Sequence, residues 1–191
     1  MVIVPSDQQI RELHEQAAPS AEAFDLVWTH CRIVCRIAEQ VAPPGVDLAL
    51  VRAGALLHDI GVYRLAAGEH YVRHGVLGEQ WLHGLELPDV LSRFCAHHTG
   101  VGVTCDDVVQ QGLPLPVADY LADTPEEEIV MYADKFHSKG GTPGFVTAAS
   151  FAASVARFGA DKAVRFADMV TTYGEPDLEA LAKEFGHPIR A

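Results

Sequence analysis

Apolar positions recur at helical spacing along most of the chain, and the breakers between them divide it into elements. Ser6 with Gln9 has the form of a capping box and predicts a first helix to about Ala17. Pro19-Ser20 restarts the chain into a long second helix that ends at Pro43-Pro44-Gly45. Its inward stripe is Ala23, Leu26, Val27, His30, Val34, Ile37 and Val41, with Asp25, Thr29, Arg32, Arg36 and Glu39 toward water. A third apolar run from Leu48 puts Val51, Gly54 and Ala55 on the face of His58; Asp59 follows at the helix end and Gly61 stops it. After a loop over Val62 to His70, a fourth helix spans about Val72 to Gly84, with His74, Leu77, Gly78, Trp81 and Leu85 in register. Pro88 opens a fifth whose core stripe is Leu91, Phe94, Cys95 and His98, stopped by Gly100.

From Val101 to Asp123 the pattern is irregular, with one short helix near Asp106. Thr124-Pro125-Glu126-Glu127 joins a cap, a proline at the first helical position and a Glu at the third, and opens a helix carrying Val130, Met131 and Asp134 on one face. Lys139 to Gly144 reads as a flexible joint. Three more helical patterns follow, around Phe145 to Phe158, Asp161 to Tyr173 and Pro176 to Phe185. No alternating strand pattern occurs, so the expectation is an all-α protein. It would be a single domain over 1–191, with its core at about 20–139 and a helical extension at about 142–187.

The 191 residues, 49% hydrophobic and 21% charged, suffice to bury a full core. No apolar run approaches the roughly 20 residues of a membrane-spanning helix, and the N-terminus turns polar too soon for a secretory signal, so a cytoplasmic protein without a membrane partner is expected. Cys31, Cys35, Cys95 and Cys105 lack paired C-x-x-C spacing and read as reduced, packed thiols. A net charge of -12 argues against a nucleic-acid polymer as partner. A small anion would need local positive charge, which bound metal supplies. Ten histidines make metal ligation worth testing.

A lone His on an apolar stripe is more often a hydrogen-bonded core residue than a ligand. Here His30, His58, His74, His98 and Asp134 each interrupt a separate stripe on a separate helix, and Asp59 adjoins one of them. One shared site explains this better than five accidents. A buried His-Asp pair at the electronegative end of a helix also calls for a cation. Nitrogen and oxygen ligands without thiolate suit divalent Fe, Mn, Co, Ni, Zn or Mg. His14, His70, His83, His137 and His187 fall off the stripes and are expected on the surface. His97 lies about 100° around the helix from His98 and is the weaker candidate.

The order H…HD…D, carried by His30, His58-Asp59 and Asp134, resembles the HD superfamily of metal-dependent phosphohydrolases over roughly Leu26 to Lys139, and HDIG at 58–61 is one of its local forms. His74-Gly75 with Gly78 and Trp81-Leu82, then His98-Thr99-Gly100, resemble the added histidines of dinuclear members. Tyr132-Ala133-Asp134-Lys135 resembles the last ligand motif of small bacterial and archaeal HD proteins, among them the symmetrical dinucleoside tetraphosphate hydrolases.

The resemblance implies an HD-type helical bundle in which His30, His58, Asp59 and Asp134 hold one divalent metal. A bridging Asp59, the central catalytic residue, would hold a second with His74 and His98. The metals would activate a water against a small phosphorylated substrate, a nucleotide or dinucleotide. Arg64, Arg73, Lys135 and Lys139 flank the ligands and are candidate phosphate contacts, with a solvated surface charge as the plainer reading of each. Val62 stands where many hydrolytic members carry Lys. Neither the Gly-Tyr-Pro signature of cyclic dinucleotide phosphodiesterases nor the Glu-Asp pair of alarmone hydrolases is present. The same six ligands occur in HD-type mixed-valent di-iron oxygenases, and a non-catalytic, metal-stabilised nucleotide-binding signalling domain is a further alternative. Oligomeric state is not legible.

Overall fold

The computed structural model describes residues 3–190. Ten α-helices run in chain order among them: α1 Asp7–Ala17, α2 Ala21–Val41, α3 Leu48–Leu57, α4 His74–Gly84, α5 Asp89–Ala96, α6 Cys105–Gln110, α7 Pro125–Asp134, α8 Ala148–Val155, α9 Ala160–Tyr173 and α10 Leu178–Phe185. Single 3-10 turns occupy Ile60–Arg64, Tyr71–Arg73 and Ala156–Phe158. The expected starts are built as the sequence suggests. Ser6 forms a capping box with Gln9 and Thr124 accepts from Glu127 behind Pro125, and α3 has a further cap in Asp47, whose side chain accepts from Ala49 and Leu50.

The fold is all-α. Its three strands are minimal: β1 His137–Ser138 pairs antiparallel with β2 Gly144–Val146, which pairs parallel with β3 Ile189–Arg190. The stretch read as a flexible joint is therefore the turn of a hairpin, with Gly141 at φ 64°. Strands of two or three residues are too short for alternation to register in a sequence.

Helices α2, α3, α5 and α7 make the core, through Val34, Ile37, Val51, Leu57, Phe94, Ile129 and Met131, all at most 1% exposed. Each buried aliphatic or aromatic side chain of this kind contributes about 1.5–3 kcal/mol. A Cβ at Gly54 would fall inside the Phe94 ring, so glycine there lets α5 close onto α3. Phe145, Phe166, Met169 and Leu181, from beyond the hairpin, join the same hydrophobic cluster. Tyr132 of α7 is fully buried against Phe136, Phe166 and Tyr173. No described helix is long and apolar enough to cross a membrane.

Three local expectations are corrected. Leu26 is 42% exposed, because the buried face of α2 is centred nearer Trp28, Cys31 and Cys35. Helix α3 ends at Leu57, and Gly61 does not stop it but lies within the following 3-10 turn. A Cβ on Gly61 would sit well inside 3.0 Å of the His74 carbonyl and the Gly78 amide, so its function is to let the backbone of α4 approach. Helix α5 ends at Ala96, which leaves His97 as its C-cap and His98 just beyond.

Candidate metal centre

Six side chains from five elements meet at one end of this core. His30 comes from the middle of α2, His58 caps α3 with Asp59 next to it, His74 starts α4, His98 follows α5 and Asp134 is the last residue of α7. His30, His58, Asp59, His74 and His98 are each at most 3% exposed. The Nε2 of His30 lies 3.0 Å from Asp134 Oδ1 and 3.1 Å from Asp59 Oδ2, and the Nε2 of His58 lies 3.5 Å from Asp134 Oδ1. On the other side of the same carboxylate, Asp59 Oδ1 is 3.3 Å from His74 Nε2 and 3.7 Å from His98 Nε2.

The imidazoles are held so that their Nε2 atoms face inward. Nδ1 of His58 lies 2.7 Å from the Ala55 carbonyl, Nδ1 of His74 lies 2.6 Å from that of Tyr71, and Nδ1 of His98 lies 2.9 Å from that of Phe94. A carbonyl only accepts, so each Nδ1 is the donor, and a ring that is neutral then presents an Nε2 lone pair. Burial pushes the His74 pKa down to about 4, against the opposing pull of Asp59, and lowers His98 as well, so both rings are neutral near pH 7. Two lone pairs then face each other across 2.9 Å between His74 and His98, with Asp59 Oδ1 beside them, buried and without a hydrogen-bond partner. Facing lone pairs and an orphaned carboxylate oxygen are unfavourable unless a cation lies among them. Ligand atoms of His30, His58 and Asp134, and separately of His58, Asp59 and His98, come within 4.8 Å of one another. The donor set fits divalent metal.

Burial would raise the Asp59 and Asp134 carboxyls. It is outweighed at Asp59 chiefly by the Lys139 ammonium and at Asp134 chiefly by that of Lys135, so both stay well below the usual range. Lys135 Nζ is 2.6 Å from Asp134 Oδ2 and donates to the His98 carbonyl at 3.0 Å, while Lys139 Nζ pairs with Asp59 Oδ2 and lies 5.4 Å from the Tyr71 ring centroid. Two of the four proposed phosphate contacts therefore lie at the site. The two arginines do not: Arg64 is exposed and stacks on Trp81 at 4.6 Å, and Arg73 pairs with Glu69.

Among the other histidines, His137 and His14 overturn the surface expectation. His137 is 5% exposed, with Nδ1 2.8 Å from His30 Nδ1 and Nε2 2.9 Å from His187 Nδ1. If His30 presents its Nε2 lone pair, it donates Nδ1–H to His137, which donates Nε2–H to His187. Position 137 was missed because it lies on a two-residue strand, where helical periodicity has nothing to say. His14 is fully buried between the Leu56 carbonyl and the Tyr63 hydroxyl. His97 is turned toward the Leu121 carbonyl, away from the cluster, and His98 takes the inward position.

The centre opens into a cavity of about 730 Å³. His30, Asp59, His74, His98, Asp134, Lys135 and Lys139 line one part of it; the turn at Val101–Val103, Leu113 and residues of α8 and α9 line the rest.

The helical bundle and its buried His/Asp cluster define a class, that of helical proteins with a site suited to divalent metal. The HD domain family matches over residues 27–139, and the chain belongs to that family. It is 39% identical over 111 residues to an uncharacterised protein of Methanocaldococcus jannaschii, covering 55% of this chain and 62% of that one. It is 38% identical over 120 residues to a tRNA (cytidine(56)-2'-O)-methyltransferase of Picrophilus torridus, covering 62% of this chain and 33% of the relative. A protein of the same name from Thermoplasma volcanium is 28% identical over 182 residues, 95% of this chain and 45% of the relative. The chain thus spans less than two thirds of each of these relatives. The HD domain of the L. monocytogenes phosphodiesterase PgpH, solved with cyclic-di-AMP, superposes with a TM-score of 0.51 at 15% identity over 96% of this chain and 100% of that one. At that identity the likeness shows the fold.

Proposed function

We propose that the six residues hold two divalent cations and that the chain hydrolyses a phosphate ester of a small molecule, a nucleotide being the expected kind. The observation that carries this reading is the division of Asp59, whose Oδ2 faces His30 and whose Oδ1 faces His74 and His98. A carboxylate so placed suits a bridge. His30, His58 and Asp134 complete the first set, and His74 and His98 the second. Cations bound there would supply the Lewis acidity that lowers the pKa of water and stabilises phosphoryl oxygens. Lys135 and Lys139, at the same wall, orient the phosphoryl group. The low dielectric of the buried cluster strengthens these contacts.

Cyclic-di-AMP in the related fold is compatible with a nucleotide substrate, and the methyl transfer named for the longer relatives is not assigned to this chain. Its charge of -12 disfavours a tRNA partner. We also treat the helices after the hairpin as part of one domain with the bundle, since they share its core.

The test is elemental analysis of protein purified without chelator, beside phosphate release with added manganese, cobalt, nickel or iron. About two ions per chain and release that Asp59→Ala abolishes are expected. Metal-replete protein that releases no phosphate from a broad ester panel would defeat the hydrolase reading.

A further inference from the structure

The cavity is far larger than a phosphoryl group needs; at about 730 Å³ it is the size of pockets that bury most of a drug-sized molecule. Its composition is divided. Lys135 and Lys139 stand at the metal cluster, already paired with Asp134 and Asp59. The remaining wall is largely apolar through Val101, Val103, Leu113, Phe151, Val155 and Phe158, and it also carries the polar side chains of Asp107, Gln111 and Ser154. Of these, Phe158 is 52% exposed although it lines the cavity, which leaves an aromatic face open to a ligand. One further lysine, Lys162, lines the cavity among the described residues, and it is neutralised by Asp107 at 2.5 Å. Arg157, whose guanidinium lies 4.7 Å from the Phe158 ring centroid, is not part of the lining. Phe151, Val155, Phe158 and Lys162 lie beyond the 27–139 match, whereas Val101, Val103 and Leu113 lie within it.

We propose that this chamber is a leaving-group subsite for an apolar, uncharged organic moiety, so that the substrate is a phosphate monoester charged only at its phosphoryl end. The inference rests on the hydrolase reading above, and it favours an ester of an apolar alcohol over the nucleotide expected there. A second phosphate or a carboxylate carried into the chamber would lose its hydration against aliphatic and aromatic walls, and each lysine among the described lining residues is already paired with a carboxylate. An apolar group would instead exchange water for those walls, a gain that grows with the area buried. In the reaction, a water oxygen forms the new bond to phosphorus and the bond from phosphorus to the ester oxygen breaks. The electron pair leaves with that oxygen, which takes up a proton, giving the alcohol and inorganic phosphate.

The experiment uses primary alkyl monoesters, whose leaving groups have similar acidity: ethyl phosphate, 2-(2-naphthyl)ethyl phosphate and 4-carboxybutyl phosphate. It is paired with binding of 2-(2-naphthyl)ethanol, followed by naphthalene fluorescence. Metal-replete wild-type protein should show kcat/KM for the naphthyl ester at least about tenfold above that for the ethyl ester, with the carboxybutyl ester no better than ethyl. Phe158→Asp and, from a different part of the lining, Leu113→Asp should each collapse that ratio toward one and weaken naphthylethanol binding, with helical circular dichroism kept. Phosphate release without preference among the three esters, or naphthylethanol binding that neither variant weakens, would overturn the subsite. Absence of release from every ester, with naphthylethanol still bound and lost in both variants, would leave the subsite standing and remove the hydrolase reading. Absence of both would remove the two together.

Discussion

The inward aim of the candidate ligands depends on residues that bind no metal. His58, His74 and His98 are oriented by backbone carbonyls, whereas His30 depends on the side chain of His137. Replacing His137 by Ala leaves His30 Nδ1 without its partner, so its tautomer and ring orientation are no longer fixed. An outer partner of this kind is worth about 10–100-fold in metal affinity. His137→Ala should therefore weaken one of the two ions by that order in competition with a chelator, while helical circular dichroism is unchanged; unaltered affinity would reduce His137 to a packing residue. A second prediction separates one ion from two. His74→Ala or His98→Ala should lower bound metal from about two per chain toward one with the fold kept, and His97→Ala should change nothing, because His97 faces Leu121. Wild-type protein that saturates at one ion would refute the second set. All six of these candidate ligands were legible in the sequence, since each interrupts an apolar stripe or adjoins a residue that does. His137 was not, because its burial comes from a tertiary hairpin.

At the scale of elements, the ends that carry side-chain signals were legible and the close approaches were not. Ser6 and Thr124 announce helix starts, because a cap acts locally on the next turn. Gly61 looked like a stop signal, yet its role depends on α4, a partner its local sequence cannot reveal. Gly61→Ala drives a methyl into the His74 carbonyl and the Gly78 amide, atoms that move only with α4 itself. Overpacking of this kind costs about 3 kcal/mol, and the shift displaces His74 as well. The expected result is a lower denaturation midpoint together with loss of one bound ion. Gly84→Ala, on the same helix with nothing within 4 Å of its Cβ, is the matched control and should leave both unchanged. Equal behaviour of the two variants would show that α4 is not held by this contact.

At the scale of the whole molecule, acid should unfold the protein through buried neutral histidines. His14 joins α1 to the last turn of α3, donating Nε2–H to the Leu56 carbonyl at 2.8 Å and accepting at Nδ1 from the Tyr63 hydroxyl, 3.1 Å away. Burial lowers its pKa to about 4 from the ordinary 6.5, against the opposing hydrogen bond to Leu56. Between those two values the unfolded chain binds a proton that the folded chain does not. The stability from His14 is therefore fully present above about pH 6.5 and is lost as pH falls through 6.5 toward 4. Over the full interval the loss amounts to about 3 kcal/mol, a sizeable part of the roughly 5–15 kcal/mol of a typical domain. Metal release on acidification works in the same direction, so the effect is isolated by comparing wild type with His14→Phe, both metal-free in chelator. Urea unfolding at a series of pH values from 7.5 to 4.5 should show the variant less stable at neutral pH, through its lost hydrogen bonds, but with a shallower decline. Its slope should fall by up to about 1.4 kcal/mol per pH unit. Parallel slopes for the two proteins would mean that His14 already carries a proton in the fold.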